Sequence, residues 1–151
     1  MLRFILLILL FLTQMVFGQR ATDEVAVKET IDKFFAGFHQ QDSLLIKETV
    51  YTPVMQTIGS DKEGNTVVKT GTFSDFLKSV VSIPGNKEFK EELLGYDIKI
   101  DGDMAHAWTP YEFWFNKKFS HCGVNSFQLV KQNDTWKIIY IVDTRRRVGC
   151  K

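Results

Sequence analysis

Two side chains in the C-terminal half have the chemistry to pass a proton between them. Asn116-Lys117 and Asn133-Asp134 both read as two-residue turns, and such turns set the register of the strands they join. The first turn puts Glu112 opposite His121, and the second puts His121 opposite Arg146. A carboxylate beside an imidazole selects the ring's tautomer and raises its pKa, which suits general acid–base work. Desolvation by Trp108 and Trp114 would push the carboxyl up as well. The plainer alternative is a cross-strand ion pair at the sheet edge, which contributes little to stability.

Side chains alternate faces along a strand, so the row of Glu112, His121 and Arg146 shares its face with His106, Trp108, Asn125, Phe127 and Tyr140. These are the candidate ligand-binding residues, and their large aromatics suit the concave side of a curved sheet. Asn125 is placed to orient a ligand carbonyl or to satisfy a backbone group. The opposite face is smaller and more polar, which fits a solvated or subunit-contact side. A one-residue bulge would exchange the faces and bring Tyr111, Asp143 and Arg145 inward instead.

The elements that must carry these residues can be read from periodicity. Val27, Ile31, Phe34, Phe35 and Phe38 recur at helical spacing. Asp42 caps a second, shorter helix with Leu44, Leu45 and Val50, which Pro53 ends. Val54–Gly59 and Thr66–Thr70 read as short strands around a polar turn. Thr72 starts a third helix, with Asp75 three positions on and Phe73, Phe76, Leu77, Val80 and Val81 as its apolar set. From residue 91 the period becomes strand-like. Asp101-Gly102 joins a strand near 91–100 to one near 103–115, and the whole C-terminal part reads as a four-strand antiparallel meander over about 91–146. The expectation is an α+β fold with three N-terminal helices packed on a curved, mostly antiparallel sheet.

Composition narrows the class. The chain has 151 residues, 44% hydrophobic, 25% charged and 13% aromatic, with a formal net charge of +1. That profile argues against a disordered tail, a collagen-like repeat or a coiled coil, and the near-zero charge against a general nucleic-acid binder. Residues 1–18 read as a signal peptide: Arg3 precedes an apolar run from Phe4 to Leu12, with Val16 and Gly18 at the −3 and −1 positions of a cleavage site. The run is short of the roughly 20 residues that cross a bilayer. The remaining residues, 19–151, read as one exported domain, periplasmic or secreted, with no stable membrane insertion after cleavage. Export makes Cys122–Cys150 a candidate disulfide, although a buried Cys122 and a free Cys150 at a frayed end fit the sequence as well.

Other sites are thinly supported. Only three histidines occur, there is no His-x-His or Cys-x-x-Cys motif, and His106 falls about 20 Å along the sheet from the row of His121, so no metal site is expected. His39 ends the first helix, where a histidine suits the helix dipole. Arg145-Arg146-Arg147 offers planar forks to an anion, or is a solvated strand end. No phosphate loop or nucleophile elbow is present, and no cofactor is expected.

The order of elements resembles the nuclear transport factor 2-like (NTF2-like) superfamily, the cone fold of ketosteroid isomerases, scytalone dehydratase and SnoaL-like cyclases. The residues that carry the resemblance are Phe34-Phe35 followed by Asp42, the run His121-Cys122-Gly123-Val124-Asn125-Ser126-Phe127, and Trp136-Lys137-Ile138 with Asp143-Thr144-Arg145. The last strand is similar to that of exported bacterial members of unassigned reaction. The resemblance implies a cavity between helices and sheet, and a homodimer. It departs from the ketosteroid isomerases at Thr52–Thr57, where their carboxylate base would stand and no acid occurs. Two readings of function follow: an exported protein that binds a small apolar or aromatic ligand without turnover, or a cofactor-free isomerase, dehydratase or cyclase using Glu112 and His121. An interaction domain working through the outer sheet face is the third.

Overall fold

The computed structural model describes residues 22–150, so the expected signal peptide lies outside the described residues. The first helix, α1, spans 22–40. Its apolar stripe buries Val27, Ile31, Phe34 and Phe35 against the sheet, each such side chain contributing about 1.5–3 kcal/mol. Gln41 leaves the helix with φ +56°, and Asp42 caps α2 (Ser43–Glu48) by accepting from the Leu44 and Leu45 N–H groups at 2.9 and 3.0 Å. The two helices touch at Gly37, where a Cβ would come within 2.9 Å of Ile46 Cγ1.

Helix α2 is shorter than expected, and Pro53 does not end it. Thr49 caps it, Leu44 points to solvent, and Val50 already belongs to β1 (Val50–Ser60). Pro53 is tolerated inside that strand because pairing with the neighbouring strand lapses between Val50 and Val54, at an irregularity where Thr52 takes φ +41°. A residue without an N–H loses nothing in such a gap.

Next come β2 (Thr66–Gly71) and α3 (Phe73–Val81), whose Thr72 cap and buried Leu77 and Val80 match expectation. The expected single strand near 91–100 is two pieces, β3 (Phe89–Leu93) and β4 (Asp97–Asp101), lying end to end along β5 (Met104–Phe115). The break falls at Leu94-Gly95-Tyr96, where the Tyr96 hydroxyl donates to Asp32 on α1. Strands β6 (Lys118–Gln132) and β7 (Thr135–Thr144) complete the meander. Sheet order is β2-β1-β7-β6-β5-β3, with β4 also on β5; only β1–β7 is parallel. The architecture is thus the expected one, N-terminal helices on a curved, mostly antiparallel sheet.

Two bulges decide which side chains face the helices. Both hairpin turns form as expected, with positive φ at Asn116, Lys117, Asn133 and Asp134. Trp114 pairs with Phe119, but Phe113 then pairs with His121, so Ser120 is an extra residue on β6. Leu129 pairs with Ile138, but Gln128 pairs with Tyr140, so Ile139 is an extra residue on β7. Each insertion shifts the register by one and exchanges faces beyond it. On β6 the expected face holds, with Asn125, Phe127 and Leu129 buried. On β5 it is reversed: Ala105, Ala107, Thr109 and Tyr111 are buried and Trp108 is 46% exposed. On β7, Trp136 and Ile138 are buried, and past the bulge Ile141 and Asp143 point inward rather than the expected Tyr140.

Candidate functional site

Helices α1 and α3 and the inner sheet face enclose a cavity of about 540 Å³. Six phenylalanines, Phe34, Phe35, Phe38, Phe76, Phe113 and Phe127, form its apolar walls. Phe34 and Phe38 stack on Phe76 with rings nearly parallel, and Phe127 meets Phe34 edge-on. Rings stacked this way wall an apolar cavity with few rotatable bonds.

One group of polar residues gathers at the β3, β6 and β7 side, while Lys69, Thr70, Thr72, Asp75 and Ser79 line the cavity from β2 and α3. Glu91 lies on β3 between Phe89 and Leu93, on the inward phase of the strand, and pairs across the backbone with Phe113. Its Oε1 accepts from Asn125 Nδ2 at 2.7 Å, and Asn125 is itself only 4% exposed. Burial pushes the Glu91 carboxyl up to about 7, assisted by the negative charge of Asp143 and opposed by the Asn125 amide and Arg145. The backbone N–H of Glu91 donates to His39 Nε2 at 3.0 Å, which ties β3 to the end of α1. His39 therefore serves as a neutral acceptor, its pKa lowered first by burial and then by Lys90, and not as a partner for the helix dipole.

Asp143 accepts from Thr57 Oγ1 and from Arg145 Nε, both at 2.6 Å. His121 stacks on Phe113 with ring centroids 4.8 Å apart and meets Tyr111 edge-on. Its pKa is lowered by burial and by Arg145, with Asp143 opposing. At neutral pH the cavity therefore holds a carboxyl able to donate a proton and an imidazole able to accept one. Tyr111 is buried, its hydroxyl donating to the Thr144 carbonyl at 2.9 Å, and its phenol is held protonated by burial and the nearby carboxylates. Its ring crosses Gly123, where a Cβ would fall 1.7 Å from the Thr144 oxygen.

Of the candidates read from the sequence, His121, Asn125 and Phe127 line this cavity, joined by Asp143 and Arg145 from the exchanged faces. Glu112 does not meet His121: the Ser120 bulge pairs it with Cys122, on the outer side from Tyr111 and Phe113. His106 and Trp108 sit together on that outer face, ring centroids 6.5 Å apart. Tyr140 is there too, its hydroxyl donating to Gln56. Arg146 lies in a neighbouring cleft, its backbone bridged to Cys122. Cys122 and Cys150 are bonded, with Cα atoms 5.9 Å apart. Among the described residues no group of three or more His, Cys, Asp or Glu is placed to hold a metal ion.

Glu91 was missed. Its signal is Phe89-Lys90-Glu91-Glu92-Leu93, where a carboxylate occupies the apolar phase of an alternating strand. An acid there is either a register error or a buried group with a partner.

No family profile matches the sequence, and no curated protein does. Solved structures do resemble the fold. A candidate dehydratase of the NTF2-like family from Streptomyces avermitilis superposes with TM-score 0.66 at 15% identity, covering 85% of this chain and 99% of its own. The β subunit of a candidate aromatic-ring-hydroxylating dioxygenase from Novosphingobium aromaticivorans gives 0.67 at 11%, covering 87% and 94%. An NTF2-like protein with a cystatin-like fold from the same organism gives 0.67 at 9%, covering 91% and 90%. At these identities the likeness establishes the NTF2-like fold and nothing about the reaction.

Proposed function

We propose that the protein is exported and binds a small, largely apolar or aromatic molecule in its cone, with Glu91 and Asn125 addressing a polar atom of the ligand. The observation that carries this reading is the cavity of about 540 Å³ between helices and sheet, in which six phenylalanines meet the hydrogen-bonded Glu91 and Asn125, a combination that suits a small-molecule site. The sequence of residues 1–18 supports export, and so does the Cys122–Cys150 bond, since disulfides persist in oxidising compartments. Among the described residues no helix is long and apolar enough to cross a membrane. A second copy of the chain is the proposed partner, and exposed Val54, Val68, Met104 and Trp108 lie on β1, β2 and β5.

Native mass spectrometry of the mature protein from its own host, before and after denaturation, tests the reading together with a neutral probe, 1-aminoanthracene. One bound molecule per chain is expected, with probe emission lost in Ser79→Trp, which fills the cavity from α3. A clean apo mass with no probe uptake would refute it.

One observation favours a second reading, a cofactor-free enzyme transferring a proton. The Glu91 carboxyl, pushed to about 7, is poised as an acid in the same cavity that neutral His121 lines. Glu91 then takes the part expected of Glu112. Turnover of a bound compound would be lost in Glu91→Gln while binding remained; retained turnover would exclude Glu91.

A further inference from the structure

Beside the cone lies a second cleft of about 760 Å³, which Lys69, His121 and Arg145-Arg146-Arg147 line. Thr57, Lys69, His121 and Arg145 line both volumes, so cleft and cone adjoin along these four residues. The lining of the cleft is cationic, and of its Lys and Arg residues only Arg145 is ion-paired among the described residues, to Asp143. It contains Lys69 and three arginines and no carboxylate; Asp75, Glu91 and Asp143 line the cone instead. Arg145 spends its Nε on Asp143, which leaves its Nη donors, and its side chain is 56% exposed. Lys69, Arg146 and Arg147 make no ion pair among the described residues.

The backbone beneath these charges is held in place, unlike that of a frayed strand end. Arg145 N–H donates to the Ile58 carbonyl at 2.9 Å, and Arg146 exchanges two hydrogen bonds of 3.0 Å with Cys122. The disulfide from Cys122 to Cys150 then closes the tail. Like charges kept together at a concave surface build a positive potential that an anion relieves, and arginine forks match the oxygens of carboxylate or phosphate.

We infer that the ligand is amphipathic, with its apolar body in the cone and an anionic head group, carboxylate or phosphate, seated on Lys69 and Arg145–Arg147. This rests on the pocket reading above and adds the charge of the ligand to it. Calorimetric titration with 2-naphthoate, 2-naphthyl phosphate and the neutral 2-naphthamide tests it. At low salt at least one anion binds about tenfold or more tightly than the amide, the scale of charge-assisted hydrogen bonds, and which anion leads identifies the head group. The preference shrinks in 0.5 M salt, roughly 4 Å Debye length. It is lost in the triple variant Lys69→Gln, Arg146→Gln, Arg147→Gln, which leaves the Arg145–Asp143 pair intact. Continued binding of naphthamide by that variant shows that the cone is still folded. Equal affinity for anions and amide, or a preference that survives the triple variant, overturns the inference while leaving the pocket reading standing. Failure of all three probes overturns both.

Discussion

Glu91→Gln separates the charge of this residue from its shape. Glutamine keeps the side-chain length and an oxygen that accepts from Asn125 Nδ2, as Glu91 Oε1 does at 2.7 Å, but it cannot ionise. In the native protein the carboxyl is raised from the ordinary 4.5 to about 7, chiefly by burial. Below pH 4.5 the proton is bound in folded and unfolded chains alike, and the raised value has no effect on stability. Between 4.5 and 7 the unfolded chain releases the proton while the folded one retains it, so stability falls as pH rises; above 7 the loss is complete. At about 1.4 kcal/mol per pH unit this amounts to about 3 kcal/mol, and nearer 2 where solvent reaches the partly buried carboxyl. The variant escapes the loss. Urea unfolding followed by tryptophan fluorescence, at pH 4 and pH 8, should show its stability relative to the native protein improving by about 2–3 kcal/mol over that interval. Taking the difference between the two pH values cancels whatever the substitution does to packing. A difference that stays constant to within about 0.5 kcal/mol would refute the assignment of Glu91 as a buried acid, and the acid–base reading with it.

Phe127 is fully buried and meets both Phe34 and Phe35 edge-on, so Phe127→Ala should lose about 3–5 kcal/mol in chemical denaturation; a loss near zero would mean the cone is not packed around that ring. Imidazole NMR should place the His121 titration below the ordinary 6.5 because burial and Arg145 disfavour its cation, and folding should lose stability as pH drops through 6.5 toward that lowered value. A midpoint above 6.5 would give Asp143 the dominant influence instead. Cys150→Ser opens a bridge between residues 28 apart and should lower stability by about 3–4 kcal/mol in the oxidised protein, with no further loss on adding reductant. An unchanged denaturation midpoint would mean that the tail is not coupled to the sheet.

Local chemistry made much of the fold legible. The α1 stripe, the Asp42 and Thr72 caps, and the paired turns at Asn116-Lys117 and Asn133-Asp134 each depend on a few neighbouring residues, and all form as read. The inward face of β6 was legible too, because Asn125, Phe127 and Leu129 keep a single phase. Those same turns place Glu112 opposite His121 only if both strands stay regular. Single-residue insertions at Ser120 and Ile139 reverse the outcome on β5 and on the end of β7. Nothing in those two residue types announces a bulge; it arises where twisted neighbouring strands can no longer match residue for residue. Glu91 depended on a longer reach still. Its carboxyl becomes a buried acid because β3 docks on β5, His39 holds its backbone from α1, and Asn125 meets it from β6. The sequence by itself determined the helical stripe of α1, the caps, the turns of the last two hairpins and the order of helices and sheet, since periodicity and caps are short-range. Which polar groups enter the cone was decided by strand register and by contacts between distant segments, and those exist only once the sheet has closed against the helices.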